Sequence, residues 1–95
     1  MKTKALTQNW RNFIQLCLAA KTEKELSELF DLMLTNAEKD DLAVRYAIIK
    51  ELLVSKKTQR ELAKTIEISI AKVTRGSNAL KIAKPATKAW WLDKI

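Results

Sequence analysis

The stretch TQRELAKTIEISIAKVTRGSNAL, Thr58 to Leu80, decides the fold. Apolar residues recur in it three and four apart, as on one face of a helix, on either side of Glu67, Ile68 and Ser69. The spacing predicts helices over about Gln59 to Ile66 and Ile70 to Ile82. Thr58 followed by Glu61 suits a capping box, and Ser69 suits an N-cap. Two helices separated by so short a joint cross steeply and share a core. Leu62, Ala63, Ile66, Ile68, Ile70, Val73 and Leu80 are its expected members, with the small Ala63 allowing close approach. Once these face inward, Ala71, Lys72, Thr74 and Arg75 project from the first turns of the second helix, the positions from which a helix-turn-helix enters a major groove. The joint holds no glycine, so Glu67 or a neighbour is expected to take a backbone conformation that glycine would adopt at lower cost.

Charge separates a groove reader from an ordinary helical hairpin with a solvated basic face. The chain carries a formal net charge of +7, from 18 basic and 11 acidic residues. Lys56, Lys57, Arg60, Lys64, Lys72, Arg75, Lys81, Lys84 and Lys88 face only Glu61 and Glu67 within their third of the sequence, while the remainder is neutral. A neutral scaffold joined to a strongly basic segment is what a polyanion-binding surface requires. Lys72 and Arg75 are candidates for phosphates or guanine edges.

Outward from this segment the same periodicity continues. One Gly and one Pro leave almost no turn chemistry for hairpins, so the fold is expected to be all-α. Thr22 with Glu25 and Thr35 with Glu38 repeat the capping-box pattern and divide the N-terminal half. Helices are expected over about Ala5 to Lys21, with Trp10, Phe13, Ile14, Cys17 and Leu18 on one face, and over Glu23 to Met33, burying Leu26, Leu29, Phe30 and Met33. A long helix over Asn36 to Val54 carries Leu42, Tyr46, Ile49, Leu52 and Leu53 as its core stripe. A last one runs from Pro85, which suits a first turn, to Lys94. With no linker or repeat, residues 1–95 read as one six-helix domain.

Composition narrows the function. A chain of 95 residues buries only about two thirds of its unfolded surface, so a second copy would supply missing core. No apolar run is long enough to span a bilayer, and no secretory h-region follows the polar start, which points to the cytoplasm and to no membrane partner. Cys17 has no second thiol and no histidine with which to hold a metal, and its apolar neighbours make it a core residue. The absence of histidine removes the commonest general base, so a binding protein is favoured over an enzyme, with no catalytic residue assigned. Asp40 and Asp41 lie near a helix N-terminus, where the dipole accounts for them. Trp10, Trp90 and Trp91 sit in apolar helical patterns and are expected in a core or dimer interface.

At Gln59-Arg60-Glu61-Leu62 and Ile70-Ala71-Lys72-Val73-Thr74-Arg75-Gly76-Ser77-Asn78-Ala79-Leu80-Lys81, and upstream at Leu32-Met33-Leu34-Thr35, Arg45 and Ile48-Ile49-Lys50-Glu51-Leu52-Leu53, the sequence resembles the bacterial tryptophan repressor family. The resemblance is good over about Leu32 to Lys81. It implies an intertwined homodimer of the trp repressor type that represses transcription at a palindromic operator, with L-tryptophan as corepressor in a pocket between subunits. By the same resemblance Arg45 and Arg75 flank the ligand, Thr35 adds a hydroxyl near its carboxylate, Gly76 leaves room for its ring, and Leu32 and Leu34 offer carbonyls to its amino group. Ala79 stands where the family often has a serine beside that amino group, which removes a polar contact. Arg60 would reach a base edge, Ser69, Ile70, Ala71, Lys72 and Thr74 approach double-stranded DNA, and Asn78 and Lys81 lie toward the phosphates. The alternative is a helix-turn-helix regulator of the same fold that responds to another effector or to none.

Overall fold

A computed structural model describes every residue from Met1 to Ile95. It is all-helical: α1 (Lys4–Ala19), α2 (Glu23–Met33), α3 (Asn36–Val54), α4 (Gln59–Ile66), α5 (Ile70–Ile82) and α6 (Pro85–Lys94). The bounds match the sequence expectation for all but α1. That helix starts at Lys4 because Thr3 caps it, its hydroxyl accepting from the Leu6 N–H at 3.0 Å. It ends at Ala19, short of Lys21, because Ala20 is extended and the next cap, Thr22, also needs an extended backbone.

The backbone divides into two compact units, Met1–Lys39 and Asp40–Ile95. In the first, no residue is buried. Phe13, Cys17, Leu26, Leu29 and Phe30 are half-buried, and the rings of Phe13 and Phe30 lie 6.4 Å apart. Met33 was expected inside and is instead exposed, and Trp10, Ile14 and Leu18 of the apolar face of α1 are exposed with it. Two helices offer each other one contact face and cannot enclose an apolar stripe as wide as this one.

Capping is regular but uneven. The Thr22, Thr35 and Thr58 hydroxyls accept from the N–H groups of Glu25, Glu38 and Glu61, each at 3.1 Å. Glu25 Oε1 reaches back only to the Thr22 hydroxyl, at 3.3 Å, whereas at Thr35 the cap's own N–H donates to Glu38 Oε1 at 2.8 Å. Donation to the carboxylate from the Thr35 backbone N–H foremost, and then from the Thr35 side chain, holds the Glu38 carboxyl below its ordinary pKa. The reciprocal box expected at all three threonines is therefore complete at one.

The second unit owns the buried core. Leu62, Ala63 and Val73 are enclosed at the α4–α5 crossing, with Leu52, Ile66 and Ile68 packed against them. Ile70 was expected to join them and is 47% exposed, at the open start of α5. On α3 the buried residue is Ile48, while Leu42 and Tyr46 of the expected stripe are exposed. Gly76 explains the choice: a Cβ there would sit 2.5 Å from Ile48 Cγ2, so the missing side chain is what lets Ile48 lie against α5. Trp91 is half-buried with its ring 5.8 Å from that of Tyr46, whereas Trp90 is exposed.

Candidate functional site

Two features of the second unit are built by the α4–α5 crossing. The first is the turn itself. Glu67 takes the left-handed conformation, with φ 62° and ψ 45°, and is the only non-glycine residue with positive φ. Both its own N–H and that of Ile68 point back to the Ala63 carbonyl, which closes the C-terminus of α4. Ser69 then caps α5, its hydroxyl accepting from the Lys72 N–H at 3.3 Å. Side chains from the first turns of α5 are thereby held on a rigid base.

Ile70, Ala71, Lys72, Arg75, Asn78 and Lys81 are all exposed on α5, and Arg60 is exposed on α4. Of the nine cations between Lys56 and Lys88, eight are exposed and Lys88 is half-buried. None is in an ion pair, since the salt bridges join Lys39 to Asp31 and Lys94 to Asp93. A dense set of unpaired cations on one segment leaves the positive potential available to a polyanion.

Thr74 differs from its neighbours. It is half-buried, and its hydroxyl donates to Gln59 Oε1 at 2.9 Å, while Gln59 Nε2 donates to Ser77 Oγ at 3.2 Å. Gln59 had not stood out in the sequence, where a glutamine at a first helical position looks like solvent-facing surface. The crossing turns it into a clasp between α4 and α5, next in sequence to Arg60.

The second feature is a crevice of about 110 Å³ lined by Asp41, Val44, Arg45, Ile48, Lys72 and Arg75. It unites Arg45 of the long helix with Arg75 of the reading helix. Lys72, expected only on the DNA face, also borders it, and Asp41 was not anticipated. Gly76 lies beneath, buried against Ile48, and Ala79 is exposed. Leu32, Leu34 and Thr35 belong to the first unit: Leu32 is 86% exposed, Leu34 caps α2 with its N–H on the Phe30 carbonyl, and Thr35 caps α3. No group of acidic, cysteine or histidine residues is placed to hold a metal ion, and no helix is long and apolar enough to cross a membrane.

An all-α chain with a capped helix-turn-helix, exposed side chains on its second helix and an uncompensated basic surface defines a DNA-binding protein of the helix-turn-helix class. The sequence pattern of the family described as Trp repressor protein matches residues 8–94. The chain belongs to that family and is a transcriptional regulator of the trp repressor type. It is 48% identical over 86 residues to a Trp operon repressor homolog of Chlamydia trachomatis serovar L2, covering 90% of this chain and 92% of that one. It is also similar to proteins of the same description from Chlamydia caviae, at 43% identity over 79 residues, 83% of this chain and 78% of the other. One from Histophilus somni is 36% identical over 83 residues, 87% and 78% of the respective chains.

Proposed function

We propose that the protein is a tryptophan-dependent repressor that binds a palindromic operator as an intertwined homodimer, residues 1–95 acting as one domain in the cytoplasm. The observation that carries this reading is the convergence of Arg45 and Arg75 on one crevice. Guanidinium planes can stack on an indole face, and either can grip a carboxylate through paired N–H groups. Thr35 enters the reading through the family resemblance, its hydroxyl being engaged with Glu38 in the α3 cap. Leu32 and Leu34 supply carbonyls for the ammonium, Gly76 supplies the close approach of α5, and Ala79 leaves that neighbourhood apolar.

Dimerisation is supported by size and by exposure. Small-molecule sites usually enclose roughly 300–1,000 Å³, so a ligand in the crevice of about 110 Å³ needs further walls, which a second copy would supply. The first unit, with Trp10, Ile14, Leu18 and Met33 open to solvent, offers the apolar surface that a second copy would cover. On DNA, Arg60, Ser69, Ile70, Ala71, Lys72, Asn78 and Lys81 meet the duplex. Thr74, its hydroxyl hydrogen held by Gln59, presents an acceptor and a methyl group. Because Arg75 serves both the crevice and the reading helix, ligand occupancy biases how α5 is presented.

Titration calorimetry with L-tryptophan, paired with binding to a duplex selected from a random library by the wild-type protein, tests this. Heat on titration and tighter duplex binding with ligand are expected, and Arg75→Ala should lose both together. No heat at millimolar ligand with unchanged duplex affinity leaves a helix-turn-helix regulator with another effector or none.

A further inference from the structure

The crevice holds one anion among its cations. Asp41 lies one helical turn before Arg45 on α3, so the two share a face and could pair, yet Asp41 forms no salt bridge or hydrogen bond. Its neighbour Asp40 is also unpaired but does not line the crevice, while Asp31 and Glu38 are held by Lys39 and Thr35. A ligand carrying only a carboxylate is served by Arg45, Lys72 and Arg75, and an aspartate beside them repels it. A zwitterion is different, because its ammonium is repelled by those same three cations and needs a counter-charge within the crevice. Ala79, which has no polar side-chain atom, cannot provide one.

We propose that Asp41 recognises the ammonium of an α-amino-acid ligand, making this crevice selective for the zwitterion over the deaminated acid. The assignment rests on the tryptophan reading above and specifies which of the crevice's charges tells an amino acid from a plain carboxylic acid. Arg45 and Arg75 take the ring and carboxylate, and the Asp41 carboxylate accepts from the N⁺–H groups at the other end of the ligand's polar head.

The test crosses two ligands with two proteins. L-tryptophan and indole-3-propionate, which differ only in the α-ammonium, are titrated calorimetrically into the full-length wild type and into Asp41→Asn. A hydrogen bond between charged groups in a partly open site corresponds to about a tenfold change in affinity. Asp41→Asn should therefore weaken L-tryptophan by about that factor while leaving indole-3-propionate unchanged or bound more tightly, since a negative charge has been removed. Asp41→Ala should give the same ordering, and its helicity by circular dichroism should equal that of the wild type, as Asp41 is exposed. Equal weakening of both ligands would assign Asp41 to orienting Arg45 and overturn the proposal, as would no change in either. If the wild type binds neither ligand, the tryptophan reading fails and the role of Asp41 goes with it.

Discussion

The two units of this chain contain similar helices and opposite interiors. Met1–Lys39 has aromatic rings in contact, Trp10 with Phe13 at 5.6 Å and Phe13 with Phe30 at 6.4 Å, but no buried residue. Asp40–Ile95 encloses Leu62, Ala63, Val73 and Ile48 and carries all but one unit of the net charge of +7. Amphipathic helices thus serve two purposes: in the second unit the apolar faces close on one another, and in the first they stay open for a covering surface. In the proposed homodimer the stability of the first unit is tied to association, whereas the helix-turn-helix unit has a core of its own.

Truncation should separate the two most strongly. Leu62→Ala is expected to lower stability by about 2–5 kcal/mol in urea unfolding, whatever the protein concentration. Trp10→Ala, at an exposed site, should act mainly by making the unfolding midpoint more dependent on concentration. If the two variants behave alike, the contrast between the units fails. Next in size is Gly76→Ala. A helical glycine normally gains about 1 kcal/mol on becoming alanine, but the new Cβ would press on Ile48 Cγ2, and overpacking of this kind costs about 1–3 kcal/mol. Net destabilisation is expected, and it should shrink in an Ile48→Ala background.

Gln59→Ala breaks two hydrogen bonds of the clasp and should cost about 1–2 kcal/mol. In a double-mutant cycle with Thr74→Val the two losses should be less than additive. Additive losses would mean that the amide and the hydroxyl do not act together. Glu67→Gly should stabilise, by about 0.5–1 kcal/mol, because glycine takes the left-handed conformation without the Cβ penalty and returns only part of the gain as backbone entropy. A drop in the thermal midpoint of this variant would show that the Glu67 side chain itself supports the turn.

The smallest expected effect belongs to the first unit. The Glu38 carboxyl is held below its ordinary pKa by the Thr35 hydrogen bonds, so its support of the α3 cap is full above the ordinary carboxylate value and is lost as pH falls through the lowered one. The thermal midpoints of wild type and Glu38→Ala should therefore converge on acidification. A gap that widens toward low pH would reverse the sign of the linkage.

How far the sequence could be read depended on whether its signals were local. The helix bounds from α2 to α6 follow from caps, spacing and Pro85, and the lack of a turn glycine foretold the geometry found at Glu67. The core of α3 was harder, because Leu42, Val44, Tyr46, Ile48, Ile49, Leu52 and Leu53 surround much of the helix and no single stripe stands out. Ile48 is selected by a glycine 28 positions later, a contact that spacing within one helix does not encode. Asp41 and Gln59 escaped for the same reason. Each acquires its meaning only when α5 is brought against α3 or α4. Met33 was misplaced because an amphipathic face shows that something must cover it and not whether the same chain does.

The contact between Gly76 and Ile48 also separates two kinds of change open to this protein. Ile48 lines the crevice and at the same time sets how closely α3 and α5 approach, so its volume fixes the aperture between the two arginines. Trimming or enlarging that aliphatic side chain alters the width of the slot while every charge keeps its identity. In the proposed ligand site, size and charge are thus governed by different positions, and a lineage or a designer can retune one without rewriting the other.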